Sequence, residues 1–291
     1  MIKKRLAINA KKTDRFLKLY LKNQKQTPLL KAMKYGVLSG GKKVRSSVIF
    51  STGKLFNLEN KKLINICGAV ESIHSYSLIH DDLPCMDDDK IRRGKSSTHV
   101  KFGEAKAILA GNSLLTLAFE MITDKRYLIS DKNKVELVKS LSLFSGHNGI
   151  AGGQERDLSF ENKKKSFKEI VDMQKKKTGK LFNFCCFSVG VIANKNKNEK
   201  RELGIIGEEI GLLFQLTDDF LDVNSSKKIL GKQIKKDDKK GKSTLINLIG
   251  QKKAYNYADN LKKKILRKLK KHGKKAEDLN NTIEFILKRK Y

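Results

Sequence analysis

Tryptophan is absent from this 291-residue chain, and only two prolines occur, Pro28 and Pro84. Proline stops helices and punctuates turns. Its scarcity argues against a strand-and-turn architecture and predicts long helices. The four cysteines, Cys67, Cys85, Cys185 and Cys186, show no CxxC spacing, and two are adjacent. They read as reduced thiols in a cytoplasmic protein. The opening Met-Ile-Lys-Lys-Arg-Leu lacks the apolar stretch of a signal peptide. No charge-free run approaches the roughly 20 residues of a membrane span, so none is expected. Acidic residues are also scarce, 31 Asp and Glu against 63 Lys and Arg, which leaves a net charge of +32.

A basic protein suggests a nucleic-acid partner. Here ten of the 63 basic residues are Arg, and the lysines are spread along the whole length. Base readers lean on Arg forks and stacking aromatics. Heavy use of Lys, Ile and Asn reads instead as an A/T-biased coding sequence, with lysine as solvated surface. No nucleic-acid partner is expected.

Apolar residues recur at three- and four-residue spacing over 61–82, 103–124, 134–146, 166–193 and 200–223. Helices are predicted there, over 252–272 with a lysine-rich outer face, and over 276–290. Breaks fall at Ser39-Gly40-Gly41, Pro84 to Gly94, Gly149 to Gly153, Ala193 to Glu199 and Asn224 to Lys242. None is a long flexible linker, so residues 1–291 are expected to form one all-α domain whose helices line a central cavity.

Against this basic background two acidic knots stand out, Asp81-Asp82-Leu-Pro-Cys-Met-Asp87 and Asp218-Asp219-Phe-Leu-Asp222. Each interrupts an apolar helical stretch, where carboxylates are costly unless neutralised. Hard oxygen donors of this kind suit Mg²⁺ held together with substrate phosphates. Residues at i, i+3 and i+7 share a helix face, which aligns Gln215, Asp218 and Asp222 in one stripe and His74, Ser77 and Asp81 in another. Pro84 ends the first helix, letting Asp87 curl back to join Asp81. A pair of solvated helix ends is the plainer explanation, but it fits poorly twice over, because the flanking residues look buried.

Cations stand at loop positions around the knots: Gly40-Gly41-Lys42-Lys43-Val44-Arg45, Arg92-Arg93-Gly94, Lys177-Thr178-Gly179, Lys232 and Lys242. Glycine admits a phosphate close to backbone, and Lys or Arg supplies charge. Gly241-Lys242-Ser243-Thr244 looks like the end of a Walker loop. However, Lys236 occupies the required glycine position and no parallel strand precedes it, so no P-loop is expected.

In this order these blocks resemble the trans-isoprenyl diphosphate synthase family, closest to the bacterial short-chain farnesyl diphosphate synthases (geranyltranstransferases). Val70 to Gly94, Ala107-Ile-Leu-Ala-Gly111, Gly152-Gly153-Gln154, Phe214-Gln215-Leu-Thr-Asp218-Asp219-Phe-Leu-Asp222 and Gly231-Lys232 complete the match, which runs from about residue 30 to the C-terminus. The resemblance implies the isoprenoid synthase fold, antiparallel helices around a central active-site cavity, and a homodimer. It implies head-to-tail condensation of isopentenyl diphosphate with an allylic diphosphate, assisted by three Mg²⁺.

By position, Asp81 and Asp87 ligate two ions with Asp82 supporting, while Asp218 ligates the third with Asp219 and Asp222 acting through water. Arg92, Lys177 and Lys232 resemble contacts to the allylic diphosphate, with Lys242 and Gln215 nearby. Lys42, Arg45, His74 and Arg93 resemble the isopentenyl diphosphate site. Thr178 and Gln215 direct oxygens at developing positive charge, and Arg289 helps close the cavity. Tyr76 and Ser77, about one turn below Asp81, set product length; an aromatic at Tyr76 implies farnesyl diphosphate.

Gln174 and Lys176 stand where the family often has histidine, Asn112 replaces an aspartate, and Ser46 replaces a proline. A geranylgeranyl diphosphate synthase shares every catalytic motif and differs beneath Asp81. A class I terpene cyclase lacks the second Asp-Asp-x-x-Asp motif, and a nucleic-acid-binding protein leaves both acidic knots without a purpose.

Overall fold

The computed structural model describes residues 2–229 and 243–289. Lys232 and Lys242 therefore lie outside the described residues. Those described are almost wholly helical, with one two-rung hairpin, β1 (Ile91–Arg92) against β2 (Lys95–Ser96). They cluster into two compact units, residues 1–139 with 191–193, and 140–190 with 194–291. No shift of composition in the sequence marked that division.

The first unit opens with α1 (Ile2–Lys22), α2 (Pro28–Val37) and α3 (Val44–Lys54), none of which the periodicity predicted. Exposed lysines separate the apolar positions of α1 and α2, while buried Ser46, Ser47, Ser51 and Thr52 separate those of α3. Pro28 starts α2 at the one helical position where a missing N–H costs nothing. Thr27 caps that helix by accepting from the Leu30 N–H at 3.1 Å.

Helix α4 (Ile64–Asp81) is buried nearly all round from Asn65 to Ile73, which is how a helix with no polar face must sit. It packs against α6 (Glu104–Thr123), reached through the short α5 (Thr98–Phe102). Two polar contacts fix the register: Asn65 Nδ2 donates to the Met121 carbonyl at 2.9 Å, and His80 Nε2 lies 3.1 Å from the Ile108 carbonyl. Gly111 admits the His80 ring, since a Cβ there would collide with it. By length and composition α6 is apolar enough to cross a membrane. Its Ala107, Ala110, Gly111, Leu114, Leu117, Ala118, Met121 and Ile122 are buried in this unit. Helix α7 (Asp131–Ser145) follows.

In the second unit α8 (Ile150–Ser159) runs through Gly152 and Gly153, where the sequence pointed to a break. These glycines make a close contact rather than a turn: a Cβ on Gly153 would strike the Lys177 backbone. Helix α9 (Phe167–Gln174) starts with a reciprocal capping box between Ser166 and Glu169. It passes through a π turn, Lys175–Gly179, into α10 (Lys180–Ile192), so the predicted helix 166–193 is continuous but locally widened.

The long α11 (Lys197–Ile229) extends beyond its predicted end, with Asn224–Ile229 still helical. Its Gly207 and Gly211 face Phe182 and Gly179 at separations no Cβ would allow. The π turn thereby lies directly on α11. Helices α12 (Leu245–Ile249), α13 (Gln251–Leu269) and α14 (Glu277–Leu287) complete the unit. As predicted, α13 turns lysines outward, and Lys268 reaches Glu209 at 2.8 Å.

Candidate active site

At the end of α4 the chain turns before Pro84 rather than at it: Asp82 already caps the helix. The Asp87 N–H donates to the Asp81 carbonyl at 2.8 Å, and the Asp89 N–H donates to the Asp82 carbonyl at 3.2 Å. The loop therefore does curl back on the helix end. Asp81 and Asp87 are half-buried, whereas Asp82 is only 2% exposed.

Asp82 does not stand beside Asp81 as a second outward donor. It accepts from Arg92 Nε at 2.9 Å and from Nη2, and the same guanidinium reaches Asp89 at 3.1 Å. Burial raises the Asp82 pKa, and Arg92 opposes that shift. Arg92, expected at a diphosphate, is thus engaged in tying the hairpin to the acidic turn. One edge of its side chain is still exposed, 32% of it.

The cations of this unit gather around His74. Arg93 takes a left-handed backbone at φ 52° and reaches back to the Gly40 carbonyl at 2.5 Å and Ser39 Oγ at 3.2 Å. Gly41, at φ 99°, leaves room for that guanidinium. Lys42 is exposed, while Lys43 is buried between Glu71, Asp14 and the Val37 carbonyl. Burial, then Arg45, Arg93, Lys43 and Arg92, hold the His74 imidazole well below its ordinary pKa. Ser46 donates through both its N–H and its hydroxyl to Glu71, at 3.3 and 2.8 Å. The backbone bond is one the family's proline lacks.

Below Asp81, Tyr76 is 9% exposed and meets the His80 ring edge-on at 5.5 Å between centroids. Ser77 Oγ donates to the His74 carbonyl at 3.0 Å.

In the second unit the π turn delivers Thr178 to α11, where its hydroxyl donates to Gln215 Oε1 at 2.8 Å. Gln215 Nε2 passes the chain on to Asp219 Oδ1 at 3.0 Å, and Gln174 Nε2 takes Asp219 Oδ2 at 2.9 Å. Gln174, at a family histidine position, therefore fixes this carboxylate. Burial pushes the Asp219 pKa up to about 7, against the pull of its Gln215 bond. Asp219 sits one residue, about 100°, round the helix from Asp218, which turns it inward towards Gln174. Asp218 is half-buried and Asp222 exposed.

Lys177 pairs with Asp157 of α8 at 2.5 Å. Asp157 carries no motif of its own in the sequence; its position just after Gly152-Gly153-Gln154, the segment seated on the π turn, is the available signal. Asp218 Oδ1 lies 2.9 Å from Arg289.

Asp82 in the first acidic turn and Asp219 in the second are held by side chains of the protein, and Asp218 pairs with Arg289. Asp81 and Asp87 are half-buried and Asp222 is exposed. No three His, Cys, Asp or Glu side chains among the described residues form a ready-made metal cage. Two hard oxygen donors per turn fit Mg²⁺, which binds through one or two carboxylates completed by water and substrate phosphate.

The all-helical isoprenoid synthase architecture and the paired aspartate-rich turns define the class. The chain belongs to the polyprenyl synthetase family, whose model matches residues 26–286. It is 38% identical over 271 residues to the farnesyl diphosphate synthase of Escherichia coli (strain K12), covering 90% of each chain. An apo FPP/GFPP synthase from Zymomonas mobilis superposes with a TM-score of 0.88 at 32% identity, over 98% of both chains. A Helicobacter pylori geranyltransferase complexed with magnesium and isoprenyl diphosphate gives 0.82 at 31%, again over 98% of both.

Proposed function

We propose that this chain is a Mg²⁺-dependent farnesyl diphosphate synthase, joining isopentenyl diphosphate to dimethylallyl and then geranyl diphosphate. The observation that carries this reading is the two acidic turns, in each of which one buried aspartate, Asp82 or Asp219, is held by a polar side chain, while Asp81 and Asp87, or Asp218 and Asp222, are less deeply buried. Farnesyl diphosphate synthases identical to this chain at about two positions in five support it.

Bound Mg²⁺ neutralises charge on the departing pyrophosphate. The chain's own part is to hold the outer carboxylates Asp81, Asp87, Asp218 and Asp222 ready to receive it. Arg92, Lys177, Lys232 and Lys242 add positive charge for the allylic diphosphate. Lys42, Arg45, His74 and Arg93 provide a second anion site that uses no metal, for isopentenyl diphosphate. The Thr178–Gln215 bond orients two side-chain oxygens whose dipoles stabilise the allylic cation. Tyr76, with Ser77 beside it, closes the space below Asp81 once fifteen carbons are in place.

Cys67, Cys185 and Cys186, buried and outside any disulfide, and the exposed Cys85 suit a reducing cytoplasm. Ile108 and Leu109 on the open face of α6 suit a homodimer contact.

Mass analysis of the products from isopentenyl and dimethylallyl diphosphates with Mg²⁺ tests the proposal. A fifteen-carbon diphosphate is expected. A twenty-carbon product would refute the farnesyl assignment, and no condensation at all would refute the function.

A further inference from the structure

Arg289 lies two residues beyond the end of α14, yet only 3% of its side chain is exposed. Its guanidinium is pinned from several sides. Nε donates to the Ile286 carbonyl at 3.2 Å and Nη2 to the Phe214 carbonyl at 3.2 Å. The plane stacks 4.0 Å from the centre of the Phe214 ring, and Nη2 stands 2.9 Å from Asp218 Oδ1. A cation held this way is preorganised, so little side-chain entropy is lost on pairing. The helix-end carbonyl of Ile286 also gains a donor that α14 cannot supply.

We infer that Arg289 is a stand-in cation for the Asp218 carboxylate, neutralising it in the substrate-free enzyme and disfavouring metal binding until a diphosphate arrives. This rests on reading Asp218 as a metal ligand. A divalent ion on Asp218 Oδ1 would sit about 2 Å from that oxygen, and so within about 5 Å of the guanidinium nitrogen that it faces. Two cations at that separation repel each other. Asp218 is about one-third exposed, which moderates the repulsion by solvent screening without removing it.

A diphosphate brings enough negative charge to outweigh the arginine. Metal and substrate therefore load together, and the bare ion does not bind first. Phe214 and Asp218 lie on one turn of α11, so a single guanidinium serves both the stacking and the charge pairing.

The test is Mn²⁺ titration of the full chain, followed by the electron paramagnetic resonance signal of the free ion, without and with inorganic pyrophosphate. Arg289→Met and Arg289→Gln should each bind Mn²⁺ alone about five- to tenfold more tightly than wild type, and pyrophosphate should enhance their binding less. Arg289→Lys, which keeps the charge, should stay within about twofold of wild type. In EDTA the neutral variants should melt about 2–4 °C lower, with the gap closing when Mn²⁺ and pyrophosphate are added.

Unchanged or weaker Mn²⁺ binding in the neutral variants overturns the inference, as does equal tightening in Arg289→Lys. If one neutral variant fails to fold, the other decides. Asp218→Asn separates the ligand role of Asp218 from the stand-in role of Arg289. If it binds Mn²⁺ with pyrophosphate as wild type does, Asp218 is not a ligand and the underlying reading fails. If it loses that binding while the Arg289 variants match wild type, only the stand-in role fails.

Discussion

Thr178 and Gln215 come from different helical segments, yet their side chains meet at 2.8 Å because a π turn lifts the threonine onto α11. Such turns are rare and concentrate at functional sites. Gln215 in turn holds the buried Asp219 at 3.0 Å. Gln215→Leu should leave Asp219 short of a donor, costing about 1–3 kcal/mol in urea denaturation. It should also lower kcat by about 10²-fold. Wild-type kcat in a folded Gln215→Leu protein would remove Gln215 from the mechanism.

Arg92 is the counter-ion of Asp82, whose side chain is only 3% exposed. Breaking a buried pair from one side strands a charge. With Arg92 one-third exposed, Arg92→Met should cost about 2 kcal/mol rather than the larger loss of a fully buried pair. The double variant Arg92→Met/Asp82→Asn should recover part of that loss in the same denaturation experiment.

His74 titrates below its ordinary value because burial and four neighbouring cations disfavour the imidazolium. The folded pKa lies beneath the unfolded one, so the folded state binds fewer protons at intermediate pH. Its contribution to stability is complete above about pH 6.5, and declines as pH falls from there towards the folded value. Stability measured between pH 7 and pH 5 should therefore fall more steeply for wild type than for His74→Gln. Parallel profiles would remove His74 as the cause.

Tyr76 is packed against His80 beneath Asp81. Tyr76→Ala should open that space and shift products beyond fifteen carbons, at a cost of about 3 kcal/mol for the lost aromatic contacts. A folded variant with an unchanged product would leave chain length to other residues.

Where helices carry an unbroken apolar stripe, as from Ile64 to Asp81 or Leu203 to Phe220, three- and four-residue spacing revealed them in the sequence. Where lysines interrupt the stripe, as in α1, periodicity was hidden although Leu6, Leu17 and Leu21 are buried. Gly152 and Gly153 were read as breakers because composition does not distinguish a glycine that turns the chain from one that admits a neighbouring backbone. The π turn left no local signature, since it depends on Gly211 and Gly153 pressing from two other helices.

At the site, the acidic residues were legible by type. Which of them pair internally was not, because the Arg92–Asp82 and Gln174–Asp219 contacts depend on tertiary approach.

The most direct test is pyrophosphate release from geranyl diphosphate and isopentenyl diphosphate, measured against Mg²⁺ for wild type, Asp81→Asn and Asp218→Asn. The account predicts release that ceases in EDTA and returns with Mg²⁺. Each variant should be slowed by about 10³-fold, as expected when charge stabilisation of a leaving group is lost. Release at the wild-type rate in either folded variant, or release that persists in EDTA, would contradict it.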